Sequence, residues 1–117
     1  MSHRVVQFDS IVSDEQKADD LQSSVIAHLN SKSYDVHSRA VNDGQTMDGE
    51  DTLGVNIDFN VATEANTFYD WLWQLAQDNK DSSSGFKQAR IQVHDCKHLQ
   101  GLQEPCEIGN ANKFDLR

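Results

Sequence analysis

The residues best suited to chemistry sit in one short run, His94-Asp95-Cys96-Lys97-His98, with Cys106 a little further along. Imidazole and thiolate are the ligands of tetrahedral Zn²⁺, held at about 2.0–2.3 Å. On an extended strand His94, Cys96 and His98 project from one side, but same-side neighbours there lie about 6–7 Å apart. That is too far to grip one ion without a bend, and zinc fingers instead draw their ligands from tight turns. The geometry favours surface histidines and a packed cysteine; a metal site from His94, Cys96, His98 and Cys106 is the weaker reading. A Cys-His nucleophile from Cys96 or Cys106 with His94, His98 or His37 needs a base in hydrogen-bond reach and a third group to orient it. The spacing supplies neither, and a free cysteine is more often a small buried hydrophobe.

Carboxylates offer a second chemistry. The stretch from Asn42 to Asp51 carries Asp43, Asp48, Glu50 and Asp51, yet the ligand order of a calcium-binding EF-hand loop is missing. A solvated hairpin tip is expected there. Asp9 and Asp58 stand on two different strand patterns and read as facing the same way. Paired acids can split their pKa values and perform general acid-base work. No Gly-rich phosphate cradle, no Gly-x-Ser-x-Gly elbow and no Cys-x-x-Cys after the first strand is present. No catalytic residue and no cofactor are therefore assigned.

The elements that must position these groups form a unit that occurs twice. Val5–Val12 alternates as a strand, with Val6, Phe8 and Val12 on one face. Ser13-Asp14-Glu15-Gln16 then reads as a capping box, and Ala18, Leu21, Val25 and Leu29 make one apolar helical stripe. Asn30–Ser33 ends that helix, and Tyr34–Val41 is a second, weaker strand. Asn42–Asp51 is a hairpin loop. Leu53, Val55, Ile57, Phe59 and Val61 alternate strictly with Gly54, Asn56, Asp58 and Asn60, so one face of this third strand is buried and the other polar. Thr63 is a candidate helix cap. Ala65, Phe68, Tyr69, Leu72, Leu75 and Ala76 form a wide apolar stripe flanked by Trp71 and Trp73, one of which belongs at its edge. Lys80–Gly85 is a connection, and Ala89, Ile91 and Val93 alternate with Arg90, Gln92 and His94 as a fourth strand. Beyond Leu99 the pattern dissolves.

The order β-α-β-β-α-β with right-handed crossovers predicts an α+β, ferredoxin-like sandwich. It has a four-stranded antiparallel sheet, two helices on one face and an irregular C-terminal tail. Residues 1–98 are expected to form the domain, and 99–117 an extension packed on it or trailing from it. The helix-free face then displays Gln7, Asp9, His37, Arg39, Asn56, Asp58, Asn60, Arg90, Gln92 and His94. Such a face is commonly wet or covered by another copy. It is also the natural place for a ligand, for which Asp9, Asn56, Asp58, Arg90 and His94 are the candidate residues.

Composition narrows the partners. The 117 residues carry 19 acids against 10 Lys plus Arg, a net charge of −9. That charge repels polyanions, and the polar alternates of the central strands offer no aromatic platform on which RNA bases would stack. Nucleic acid and anionic membranes are not expected. No apolar run is long enough to span a bilayer, none resembles a signal peptide, and two cysteines suggest reduced thiols. A cytoplasmic location is the expectation. The sequence thus describes a small binding or interaction module that self-associates, as a homodimer with its second strand at the sheet edge. The alternative is a small-molecule sensor or enzyme whose pocket over the polar face a second subunit completes.

Overall fold

Strand patterns with one apolar face must find a cover, and here they find it in two helices. A computed structural model describes residues 4–80, 85–95 and 112–115. The elements are β1 (Arg4–Val12), α1 (Glu15–Lys32), β2 (Val36–Gln45), β3 (Asp51–Phe59), α2 (Ala62–Asp78), β4 (Phe86–Asp95) and β5 (Asn112–Asp115). The sheet order is β2-β3-β1-β4-β5, with every neighbouring pair antiparallel. The first six elements are the ferredoxin-like β-α-β-β-α-β sandwich. Within the stretch expected to be irregular, Asn112–Asp115 adds a fifth strand beside β4. No described helix is long and apolar enough to cross a membrane.

The core lies between sheet and helices. Val6, Phe8 and Val12 from β1, Leu53, Val55, Ile57 and Phe59 from β3, and Ala89, Ile91 and Val93 from β4 meet both helix stripes there. Those stripes are Ala18, Leu21, Val25 and Leu29 of α1 and Ala65, Phe68, Leu72 and Ala76 of α2. Trp71 and Trp73 are both half-buried beside the core.

Local chemistry departs from expectation at three points. α1 is capped by Asp14, whose Oδ1 accepts from the Lys17 backbone N–H at 2.7 Å. Ser13 does not cap: its backbone N–H donates to the Gly85 carbonyl at 2.9 Å, and its Oγ is buried with no hydrogen-bond partner among the described residues. α2 begins at Ala62 behind Val61, with no side-chain cap. Its Glu64 carboxylate instead accepts from the Asp35 backbone N–H at 2.8 Å, tying the helix start to the segment entering β2. The β2–β3 hairpin is also tighter than its composition suggests, since strand pairing continues to Gln45 opposite Asp51. Backbone pairing there tolerates the Asn, Asp and Gly residues that read as loop.

One irregularity redirects a whole strand. The β2–β3 register shifts between Val36 and Ser38, so His37 occupies a bulge. Beyond it Arg39 pairs with Ile57 and Val41 with Val55, which puts Arg39 on the helix side, opposite to the face expected for it. One extra residue is sufficient, because side-chain direction repeats every two. α1 tracks this edge closely. Asn30 Oδ1 accepts from Arg39 Nη1 and Nη2 at 3.3 and 3.4 Å, and Gln22 Nε2 donates to the Val41 carbonyl at 3.1 Å.

A histidine joins the aromatic corner of the core. His28 stacks on Trp71 with centroids 3.8 Å apart and planes 7° from parallel. Its Nε2 shares a 2.9 Å hydrogen bond with the Tyr34 hydroxyl. Burial, and then the Lys32 charge, push the imidazole below its ordinary value. A lowered histidine pKa means that the unfolded chain takes up the proton first as pH falls. The stability present above about pH 6.5 should therefore decline on acidification, until His28 is protonated in the folded protein too. Melting temperature measured from pH 7 downward should show this slope, and His28→Phe, which retains a ring against Trp71, should flatten it.

Candidate functional site

The helix-free face is organised as cross-strand rows, set by the antiparallel register. Val5 stands opposite Asp58 on one side and His94 on the other. Gln7 lies between Asn56 and Gln92, Asp9 between Gly54 and Arg90, and Ile11 between Thr52 and Gln88. Successive rows are about 7 Å apart along a strand. The face falls into two halves of different character.

The half toward the end of β1 is open and hollow. A cleft of about 410 Å³ is lined by Asp9, Ile11, Thr52, Gly54, Gln88 and Arg90, with Ser10 and Leu53 in its floor. The floor is firm, since the Ser10 hydroxyl donates to the Leu53 carbonyl at 2.7 Å in a buried bond. Gly54 makes the hollow. It lies in the middle of a strand, and a Cβ added there would meet only the Asn42 and Phe8 carbonyl oxygens, at 3.9 Å, an ordinary contact. Neither conformation nor crowding requires glycine here. The contrast is Gly85, where a Cβ would run into the Asn79 carbonyl, whose oxygen accepts from the Phe86 N–H at 2.6 Å.

The other half is shielded at Val5, Asp58 and Gln92, contrary to the expectation of a face open to water, while Asn56 remains exposed. Asp58 retains 5% of its exposure and Gln92 7%, although both point away from the helices, and Val5 beside Asp58 is buried as well. An apolar Val5 in the central strand gives these rows a hydrophobic member that strict reading of the polar alternates overlooks. The side-chain oxygens Gln7 Oε1 and Gln92 Oε1, on directly opposed residues, are buried and accept no hydrogen bond among the described residues. A buried acceptor left unpaired costs about 1–3 kcal/mol, whereas removing both partners of a pair can be neutral or stabilising. The double variant Gln7→Met, Gln92→Met should therefore unfold at higher denaturant concentration than the parent, read from the urea midpoint.

Of the five candidate ligand residues, Asp9 and Arg90 come together in the cleft, opposite one another in register. Asn56 is exposed one row away. Asp58 belongs to the shielded half. His94 is placed by its register with Val5, while its side chain lies outside the described residues. Asp9 and Asp58 do not form a carboxylate pair: Asp9 faces Gly54 and Asp58 faces Val5. Four residues of β1 separate those rows, about 13 Å. Of the metal reading, Cys96, His98 and Cys106 also fall outside the described residues. Among the described residues no group of three His, Cys, Asp or Glu side chains is arranged to hold a metal ion. The sequence reading missed Gly54, Thr52 and Gln88. A glycine interrupting a strand of large residues was the available signal, because interior strand glycines often mark a close approach by something else.

No protein-family model matches this chain, and no curated protein matches it. Among solved structures it is similar to LarC2, the C-terminal domain of a cyclometallase involved in synthesis of the NPN cofactor of lactate racemase, in its apo form. The TM-score is 0.46 at 12% identity, covering 83% of this chain and 58% of that one. This chain thus spans less than two-thirds of that structure, and a likeness of this degree carries no argument about activity.

Proposed function

We propose that this protein is a small binding module whose ligand sits in the cleft over Gly54 on the helix-free sheet face. The observation that carries this reading is the glycine itself. At a mid-strand position where a larger residue fits, its absence of side chain keeps open a volume within the range of small-molecule sites. The opposed Asp9 and Arg90 give that volume both signs of charge. Thr52 and Gln88 add hydroxyl and amide groups, so the cleft suits a small polar molecule carrying acid and amine or hydroxyl functions. Binding rather than turnover is the reading, because the lining combines no nucleophile with a base to activate it.

A metabolite screen by thermal shift on the full chain tests this. A ligand of the stated class should raise the melting temperature of the parent by mass action, and should fail to do so for Gly54→Leu and for Asp9→Ala. A ligand whose stabilisation survives both substitutions binds elsewhere and overturns the assignment. So does a screen of zwitterionic and polyol metabolites that moves the melting temperature for none of them.

A further inference from the structure

The β2 edge carries an inference of its own, independent of the cleft. β2 has β3 as its neighbour and no strand on its other side among the described residues. All of it except Val36 and Val41 is exposed. Natural proteins blunt such edges by shortening them, bulging them or loading them with like charge. Here the bulge lies at one end, at His37, and the pairing beyond it runs without interruption from Ser38 to Gln45. This regular stretch is ten residues long less the bulged start, and Val41 stands near its centre.

We propose that this edge joins two copies of the chain, β2 to β2, antiparallel about a two-fold axis at Val41. A two-fold axis normal to the sheet keeps the helices of both copies on one side and opposes only residues whose numbers differ by an even count. Centring on Arg39 would oppose arginine to arginine, and centring on Asp43 would oppose aspartate to aspartate. Centring on Val41 puts Arg39 of each copy opposite Asp43 of the other, twice by symmetry, with Ser38 opposite Gly44 and Ala40 opposite Asn42. Directly opposed charges of unlike sign stabilise a strand pair, and like charges weaken it. One register therefore satisfies the charges and pairs Ser38 through Gly44, all of the unbulged stretch but Gln45.

The surroundings of both charges agree with this. Asp43 lies against Asp19 of α1 on the same edge. A hydrogen bond to Asp43, then slight desolvation and the charges of Asp43, Glu15 and Asp20, hold the exposed Asp19 carboxyl above its ordinary value. Two carboxyl groups in contact call for a cation, and among the described residues none is placed there. Arg39 of the second copy is that cation. Among the described residues its guanidinium is held by the neutral Asn30 amide oxygen alone, at 3.3 and 3.4 Å, longer than a strong hydrogen bond. Exchanging that contact for a carboxylate gives a charge-assisted bond.

The test is a charge exchange on the full chain, read by sedimentation equilibrium across micromolar concentrations. The parent should be a dimer. Arg39→Asp and Asp43→Arg should each weaken self-association by about tenfold or more, since each turns two attractive pairs into two repulsive ones. An equimolar mixture of the two variants should restore a heterodimer, because every opposed pair is then of unlike sign. Circular dichroism melts establish that each variant folds. Amide hydrogen exchange adds a second reading, with β2 amides gaining protection as parent concentration rises. A parent that stays monomeric, variants that dimerise as the parent does, or a mixture that fails to associate would each overturn the proposal.

Discussion

Replacing Gly54 with leucine should do two opposite things: stabilise the fold and empty it of its ligand. Glycine within a strand costs roughly 0.5–1 kcal/mol relative to residues with a side chain, through backbone entropy. A Cβ at this site meets nothing closer than 3.9 Å, so the first carbon of the side chain offsets none of the gain. The leucine side chain would stand in the row of Asp9 and Arg90, filling the cleft those residues line. Urea denaturation should show an increased midpoint with an unchanged slope. Ligand-dependent stabilisation should vanish in the same variant. A loss of stability would mean that the hollow is structural, and the functional reading of Gly54 would go with it.

Phe68→Ala should be the most damaging single substitution outside the β-sheet. Phe68 is fully buried and occupies the middle of the aromatic corner. Its ring lies 5.4 Å from that of Phe59, 5.9 Å from those of His28 and Trp71, and 6.0 Å from that of Tyr34. Truncation removes apolar area and leaves a cavity that rigid neighbouring rings cannot close, for a cost of about 3–5 kcal/mol. Domains of this size are stable by only about 5–15 kcal/mol, so much of the total would be lost. Denaturant unfolding followed by Trp71 and Trp73 fluorescence measures it. The loss should be accompanied by weaker pH dependence, since His28 would lose part of the enclosure that lowers its pKa. A cost below about 1 kcal/mol, the typical value for an average substitution, would show that the corner relaxes around the gap.

The fold was readable because its information is periodic. Every residue of the α1 stripe expected to be buried is buried, and Leu53, Val55, Ile57 and Phe59 all face the core, whereas Val61, read as the fifth of that series, lies past the end of β3 and is exposed. What periodicity does not carry is register and interruption. Nothing in the run Val36-His37-Ser38 announces a bulge, yet that bulge turns Arg39 to the other face. Likewise, Asp9 and Asp58 share a face by parity, but only the pairing shows that they stand at different rows. The helix starts differ from the sequence reading by one or two residues: Ser13 and Asp14 are both competent caps and Asp14 takes the role, while α2 begins behind Val61 with no side-chain cap at all. Of the candidate site, Asp9 and Arg90 were legible as polar alternates. Gly54 was visible only as a missing side chain, and its partners Thr52 and Gln88 became meaningful once the rows were known.

The two rims of the sheet differ in length, and this limits how far copies can add. On one side the last strand is β5, four residues long; on the other it is β2, with ten. A brief rim offers few backbone groups for a further strand, while the long one can be satisfied by its own mate. In the proposed pairing, union of two long rims about a symmetry axis would consume both, so growth would terminate at a pair instead of propagating into a fibre. A shorter β2 or a longer β5 would remove that safeguard.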